Sequence, residues 1–220
     1  MRFFRLGKNF NWKYIIGEIL LIFIGINLAI WFNDWNTSRN AREQKSVAIA
    51  KIKEEVESNL EELQFTEEKN DLVLEAFATY KKYYTDTPSE AVALPHEMAE
   101  LQKKYPRFFR ITDSAEVGDG IYKYQGGTFI QLELPELTEI AWETTRSTNI
   151  AREFDYECLY GLEGVYLLQR RVQKELDKAA EALKQRKLRE IISILEFEKQ
   201  ISEQLLSDYQ EVLDNIDACR

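Results

Sequence analysis

Residue types that carry chemistry are scarce in this chain of 220 residues, which holds two cysteines and one histidine. Two cysteines are too few for a disulfide scaffold, and these two are not spaced like zinc ligands. One imidazole cannot supply the histidine pairs that zinc proteases and di-iron bundles need. We therefore expect no metal, no cofactor and no catalytic activity.

Short matches to known motifs are incomplete. His96-Glu97-Met98-Ala99-Glu100 begins like a zinc-protease helix but lacks the second histidine. The glycines at 118, 120, 126 and 127 lack the spacing of a phosphate-binding loop. Cys158 lies on an apolar stripe, where a thiol is more often a core residue than a reactive group. A Cys158–Cys219 disulfide is permitted outside the cytoplasm, but nothing in the pattern requires it.

Helix breakers are absent from two long stretches. All four prolines lie between 88 and 164, and residues 33–87 and 165–220 contain neither proline nor glycine. Both flanks are therefore predicted to be long helices, with the turns in the centre.

Net positive charge is confined to the first residues. Of the net charge of −9, residues 1–14 contribute +4 and Glu18 contributes −1, so residues 33–220 carry −12. An acidic domain of this kind repels phosphates, so we expect no nucleic-acid partner. The basic head suits anionic lipid head groups instead.

One long apolar run is present, from Ile15 to Phe32. Its 18 residues would span ~27 Å as a helix, close to the ~30 Å hydrocarbon core of a bilayer. The run is longer than the apolar region of a signal peptide, and Trp31–Trp35 is a poor cleavage site. The pattern predicts a single transmembrane helix at 15–32, between a head (1–14) and one further domain (33–220).

Aromatic residues flank the run at the positions of interfacial anchors; they are Trp12 and Tyr14 on one side, and Trp31 and Trp35 on the other. The short head has four basic residues and no acid, whereas long domains cross membranes largely regardless of their charge. We expect an inner-membrane protein with its N-terminus in the cytoplasm and its C-terminal domain in the periplasm.

Polar groups within the run require a reason, because each is costly in hydrocarbon. Glu18 is near enough to the cytoplasmic margin to reach the head groups or stay protonated. Alternatively, Glu18, Gly25 and Ala29 share a face on which small residues let another helix approach. Asn27 lies on the opposite face. The lipid bilayer and another membrane protein, or a second copy of this chain, are thus the expected partners; contacts at both faces would imply two partners or a larger assembly.

The apolar spacing of the remainder predicts an all-α domain, an antiparallel helical bundle with coiled-coil-like stripes. The first helix would begin near Ser38, continue the membrane helix as a stalk and end near Tyr84. The other predictions are a loop after Thr85, a helix at 95–105, a hairpin around Gly126-Gly127 or an irregular loop within 106–135, a helix from Pro135 to Arg146, and two helices from Ile150 joined by a turn near Lys184–Lys187.

The first 45 residues resemble a family of uncharacterised single-pass membrane proteins of Gram-negative bacteria, known as a domain of unknown function. The resemblance is carried by the start MRFFR, by Ile16–Leu21 with Ile24-Gly25-Ile26, and by the exit Asn33-Asp34-Trp35-Asn36. Weaker likeness continues at Ala141–Thr144 and Tyr209–Leu213. The wholly apolar Ile30–Phe32 departs from the family, which usually has a polar residue there. The resemblance implies membrane insertion and a mostly helical domain, and it assigns no catalytic residue.

Two functions fit these expectations. The first is a membrane-anchored interaction or sensor-like module of the bacterial envelope, and the alternative is a structural or assembly factor for an envelope complex. A sensor would hold a ligand among the central aromatic residues, which are Tyr105, Phe108, Phe109, Tyr122, Tyr124, Phe129 and Trp142.

Overall fold

A computed structural model describes residues 12–85 and 89–219; most of the basic head lies outside these ranges. Its first element, α1, is a single helix of 69 residues, Trp12–Tyr80. Every side chain from Ile16 to Asn40 is exposed. The apolar part has a mean hydropathy of 2.3 over 18 residues, so α1 is long and apolar enough to cross a membrane. No proline or glycine follows Gly25 in α1, and the apolar segment therefore passes unbroken into the water-facing part.

Three long helices form the main core. α4 spans Tyr156–Lys184 and α5 spans Leu188–Asn215, and α5 packs against both α1 and α4. The predicted turn between them is present at 185–187, where Arg186 adopts a left-handed conformation (φ 56°). α1 contributes apolar residues at the spacing of one helix face; they are Ile49, Ile52, Val56, Leu63 and Val73.

A small antiparallel sheet accompanies the helices. Its strands are β1 (Glu90–Ala93), β2 (Phe109–Gly118) and β3 (Ile121–Thr128), in the order β1-β3-β2. The fold is therefore mostly helical with a small three-stranded sheet, which is broadly consistent with the predicted all-α class. β1 lies where a loop was predicted, because four residues with only two buried side chains carry little strand signal.

The turn between β2 and β3 is not at the glycine pair. Asp119 and Gly120 form it, both with positive φ (54° and 74°), as short hairpin turns require. Gly126 and Gly127 instead lie within β3, opposite Ile111 and Arg110. Gly126 is needed there because a Cβ would collide with the Arg110 carbonyl oxygen.

The segment from 129 to 155 is less helical than predicted. α3 spans Ile140–Ser147 and begins five residues after Pro135, because 129–139 has no regular secondary structure. A 3₁₀ helix at Asn149–Glu153 follows, so α4 begins at Tyr156 and not at Ile150. The Asp155 carboxylate accepts a hydrogen bond from the backbone N–H of Cys158 and caps α4.

A second apolar core lies under the sheet. α2 spans Pro95–Lys104, with the proline in its first turn as expected. Tyr80, at the end of α1, is fully buried against Phe109, with ring centroids 4.9 Å apart. The end of α1 is thus part of this core, and helix and sheet are stabilised together.

The two cysteines are joined. Cys158 in the first turn of α4 is bonded to Cys219 in the closing 3₁₀ helix, Ile216–Cys219, with Cα atoms 5.9 Å apart. This separation lies within the normal disulfide range. The bond ties the end of the chain to the start of α4.

Candidate functional site

The expected interfacial residues lie at the two ends of the apolar part of α1. Trp12, Tyr14, Trp31 and Trp35 are all largely exposed, and the last two are followed by polar, solvent-facing helix. Their spacing along the helix is comparable to the thickness of a bilayer core of ~30 Å.

The candidate contact residues of the anchor lie on two sides of α1, and their role in helix contacts stays a prediction. Glu18, Gly25 and Ala29 lie on one side, with nothing within 4 Å of a Cβ built on Gly25. Asn27 lies on the other side and donates from Nδ2 to the Phe23 carbonyl oxygen at 2.7 Å. The helix itself thus satisfies an Asn27 donor, and the small-residue face is the one that stays open to another helix.

A groove of about 790 Å³ lies between α1 and α3, next to the exposed segment 16–40 of α1. Val47, Ala48, Ile140 and Ile150 supply its apolar wall, and Val47 and Ile140 are 58% and 73% exposed. A second groove, of about 540 Å³, borders the disulfide between α4 and the end of α5. Neither groove includes any of the central aromatic residues that a sensor pocket was expected to use.

Those aromatic residues are distributed between the two cores and the surface. Tyr105, Phe108, Phe109 and Tyr124 are buried beneath the sheet. Trp142 belongs to the main core and stacks on Tyr166, with ring centroids 5.7 Å apart. Tyr122 is half-buried and Phe129 is exposed. Most of these rings therefore pack within the two cores, and none of them lines either groove.

A buried carboxylate organises the base of the main core. Glu55 of α1 accepts hydrogen bonds from the backbone N–H groups of Ala141 (2.8 Å) and Trp142 (3.3 Å) and from the Tyr166 hydroxyl (2.7 Å). The first two bonds cap the N-terminus of α3 from a different helix. Burial raises the pKa of Tyr166, and the hydrogen bond to the Glu55 carboxylate raises it further. Glu55 is thus a structural acceptor.

Two buried amides hold the irregular segment before α3. The Asn59 amide donates to the Thr138 carbonyl at 2.7 Å and accepts from the Thr138 N–H at 2.9 Å. Gln169 of α4 donates to the same carbonyl and accepts from the Tyr209 hydroxyl of α5 at 2.7 Å. One network therefore joins α1, α4 and α5 through their side chains.

A pair of acidic side chains lies between α1 and α5 nearer the sheet. Glu198 of α5 is 1% exposed and accepts from the Ser202 hydroxyl. Burial, and then Glu198, raise the pKa of Glu67 on α1 to about 8. Burial also raises the pKa of Glu198. Asp71 and Lys199 form an ion pair beside them, with Nζ 2.6 Å from both carboxylate oxygens. The pair therefore retains a proton at neutral pH.

The described residues do not form a cluster of possible metal ligands. Among residues 12–85 and 89–219, no three His, Cys, Asp or Glu side chains are placed to hold a metal ion. His96 is exposed on α2, and Glu97 beside it accepts from the Leu94 backbone N–H at 3.0 Å, which caps the helix.

Sequence reasoning missed the buried acids and amides. Glu55, Asn59 and Glu67 interrupt the apolar stripe of α1 at the same three- and four-residue spacing as its buried leucine and isoleucine residues. That position on the stripe was a usable signal. The partners on α4 and α5 could not be assigned from one sequence, because they lie more than 100 residues away.

Comparison with family models, curated proteins and solved structures gives no match. The resemblance of residues 1–45 to an envelope family stays a prediction.

Proposed function

We propose that this chain is a membrane-anchored interaction module of the bacterial envelope, sensor-like and without catalytic activity. Its N-terminus lies in the cytoplasm and its helical bundle lies in the periplasm. The observation that carries the proposal is α1, because one helix contains both the apolar segment and the buried stripe of the main core. A partner that displaces the bundle would therefore move the membrane helix with it.

The position of the domain close to the membrane supports the same function. Only about eight residues separate Phe32 from the first packed residue, Ala41, which is ~12 Å of helix. The groove between α1 and α3 lies directly above this segment. A membrane protein beside the anchor could thus contact the anchor and the groove together.

The disulfide supports the proposed orientation. Disulfides persist in the periplasm and are rare in the reducing cytoplasm. The Cys158–Cys219 bond closes the end of the main core that faces the membrane, where Lys53 of α1 pairs with Asp217 at 3.2 Å. A periplasmic domain keeps this bond oxidised.

The alternative is a structural or assembly factor for an envelope complex. Exposed apolar side chains at the edge of the groove, Val47 and Ile140, favour it. In that case the partner would remain bound and would not exchange.

In-cell cross-linking of the full chain, followed by mass spectrometry, tests the proposal. We expect abundant adducts through residues 36–55 to a membrane protein or to a second copy. An adduct that survives purification at constant stoichiometry would favour the assembly factor over the sensor. Recovery of the monomer alone would contradict both.

A further inference from the structure

The second groove, of about 540 Å³, lies between the first part of α4 and the last part of α5. Its floor is apolar and consists of buried or half-buried side chains, which are Leu162, Val165, Val212 and Ile216. The Cys158–Cys219 disulfide also lines the groove and holds the closing 3₁₀ helix against α4. Residues 155–165 form one wall, so the groove is ~16 Å long, or about three turns of helix.

Acidic side chains border this groove. They are Asp155, Glu157, Asp208 and Glu211, and no described residue that lines the groove is a lysine or an arginine. Asp155 caps α4, whereas the other three acids have no ion-pair partner among residues 12–85 and 89–219. Burial, and then the neighbouring Glu211, raise the pKa of Asp208. The negative charge is thus uncompensated, and we call this surface, residues 155–165 with 208–219, the acidic groove.

Two glycines of α4 lie in one wall of the acidic groove. Gly161 and Gly164 are about one turn apart and exposed, and a Cβ built on either would meet nothing within 4 Å. Glycine lowers the stability of a helix relative to alanine, and the packing of this chain does not require it at either position. Without side chains there, the backbone of α4 is open to close approach from outside.

Exposed tyrosines stand at the edge of the same wall. Tyr160 lines the groove and is 68% exposed. Tyr156, one turn earlier, is 74% exposed, and the two ring centroids are 6.2 Å apart. Tyrosine is enriched in protein interfaces, and the face of its ring attracts lysine and arginine. The floor, the acids and the rings are therefore complementary to a partner that is both apolar and cationic.

We propose that the acidic groove binds a basic amphipathic helix of another protein. The inference rests on the proposed interaction function and names the chemistry of one partner. A helix suits this groove better than an extended segment, because the helical walls have no free backbone groups with which a strand could pair. Apolar side chains at three- and four-residue spacing would cover the floor, and lysine or arginine would face Asp208 and Glu211 on one wall and Glu157 on the other.

Charge disfavours two other occupants of the acidic groove. A membrane surface with anionic head groups would be repelled by the same carboxylates that attract a basic helix. The water-facing part of a second copy is itself strongly acidic, so it lacks the complementary charge. A cationic helix from a different protein is thus the occupant that the groove favours.

Binding of a defined peptide to the full chain in phosphatidylcholine nanodiscs tests the inference. The probe is a stapled helix of about 12 residues, which fills the groove, with leucine on one face and lysine on the other. A second peptide carries glutamate in place of lysine. Fluorescence anisotropy, corrected for empty nanodiscs, should show about tenfold tighter binding of the lysine peptide, weakened by added salt. Equal affinities, or no binding of the lysine peptide, would overturn the inference.

A substitution in the wall locates the binding. Gly161→Leu adds a large side chain where the chain itself leaves space, and it should raise helix stability, so weaker binding would not result from unfolding. We expect about tenfold weaker binding of the lysine peptide, because the leucine side chain occupies the place of the partner helix. Ser193→Leu, exposed on α5 outside the groove, should keep the native affinity. Native affinity in Gly161→Leu would place the peptide elsewhere and overturn the inference.

Removal of charge tests the electrostatic part. The double variant Asp208→Asn with Glu211→Gln should bind the lysine peptide about fivefold more weakly. Glu196→Gln with Glu203→Gln removes the same charge from exposed positions of α5 outside the groove, and its affinity should change by less than about twofold. The same loss in both double variants would mean attraction to the overall charge of the chain, and not recognition by the acidic groove.

These results are distinguishable from the test of the proposed function, which depends on cross-links through residues 36–55 of α1. If those cross-links form and the lysine peptide does not bind, the interaction module stands and the basic helix is excluded as its partner. If the peptide binds at the groove but the cells yield only monomer, the groove is supported and the proposed function is contradicted.

Discussion

At the scale of single residues, Glu55 links α1, α3 and α4 through three accepted hydrogen bonds. Glu55→Ala removes the acceptor and leaves two backbone N–H groups of α3 and one buried hydroxyl without it. We expect a loss of about 2–4 kcal/mol of unfolding free energy, because each buried donor loses its partner. Urea unfolding of the full chain in detergent, followed by circular dichroism, measures it.

Glu54→Ala is the matched control for that measurement. Glu54 is exposed and pairs only with Lys51 at the surface, so its removal should cost less than about 0.5 kcal/mol. Equal losses in the two variants would show that Glu55 does not cap α3.

Glu67 gives the domain a predicted pH dependence. Its pKa is about 8 in the folded chain, above the ordinary 4.5 that the unfolded chain recovers. The folded state therefore binds more protons between these values, and stability falls as pH rises from about 5 to about 8. Glu198, Ser202 and Asp71 are the side chains that influence this carboxyl group, and Asp71 is in turn paired with Lys199.

The test is a series of urea unfolding curves from pH 5 to pH 9. Glu67→Gln keeps the shape of the protonated side chain and cannot titrate, so its stability should vary less with pH and exceed that of the native chain at pH 8. Glu68→Gln, at the exposed neighbouring position, should retain the native slope. If the stability of Glu67→Gln changed with pH as much as that of the native chain, another group would be responsible for the pH dependence.

At the scale of elements, two adjacent glycines of β3 differ sharply. A Cβ on Gly126 would collide with the Arg110 carbonyl oxygen and crowd the Phe109 ring, whereas a Cβ on Gly127 would meet nothing within 4 Å. Gly126→Ala should separate β2 from β3 and cost about 2–4 kcal/mol. Gly127→Ala should change stability by less than about 0.5 kcal/mol.

Hydrogen exchange localises the effect of the first substitution. In Gly126→Ala, amide protection should fall along the β2–β3 ladder and remain native in α4 and α5. Similar protection in both glycine variants would mean that the strand backbone adjusts to the added methyl group at little cost.

The elements also show what one sequence can predict. The long helices were predictable, because their apolar residues recur at helical spacing and no breaker interrupts them. The hairpin turn was misplaced because Gly126-Gly127 and Asp119-Gly120 are both turn signals. The close approach of Arg110, which requires glycine at 126, is not visible in the sequence. β1 was missed because its identity as a strand depends on pairing with β3, a contact outside its own four residues.

The candidate site was predictable only in its local part. The two faces of the anchor follow from helical rotation alone. The exposure of Val47 and Phe65 needed the structure, because it depends on which side of α1 the domain covers. The roles of the buried acids Glu55 and Glu67 also needed the structure, because their partners lie on α4 and α5.

At the scale of the whole molecule, α1 connects the apolar segment to both cores. The main core lies between the membrane segment and the sheet, and the sheet with α2 packs at the far end of α1. A force on either end is thus applied to one helix. Under the proposed function, this arrangement would transmit position between a membrane partner and a periplasmic one.

The last prediction concerns the side of the membrane on which the domain lies. If the domain is periplasmic, Cys158 and Cys219 are bonded in cells, because the periplasm oxidises thiols and the cytoplasm does not. Cells quenched with acid, denatured and treated with a maleimide-linked polymer should then show no shift in mass without reductant, and two added labels with it. Cys219→Ser should accept one label without reductant, which confirms that Cys158 is reachable under these conditions. Two labels on the native chain without reductant would place the domain in the cytoplasm, and the basic head would then face the periplasm.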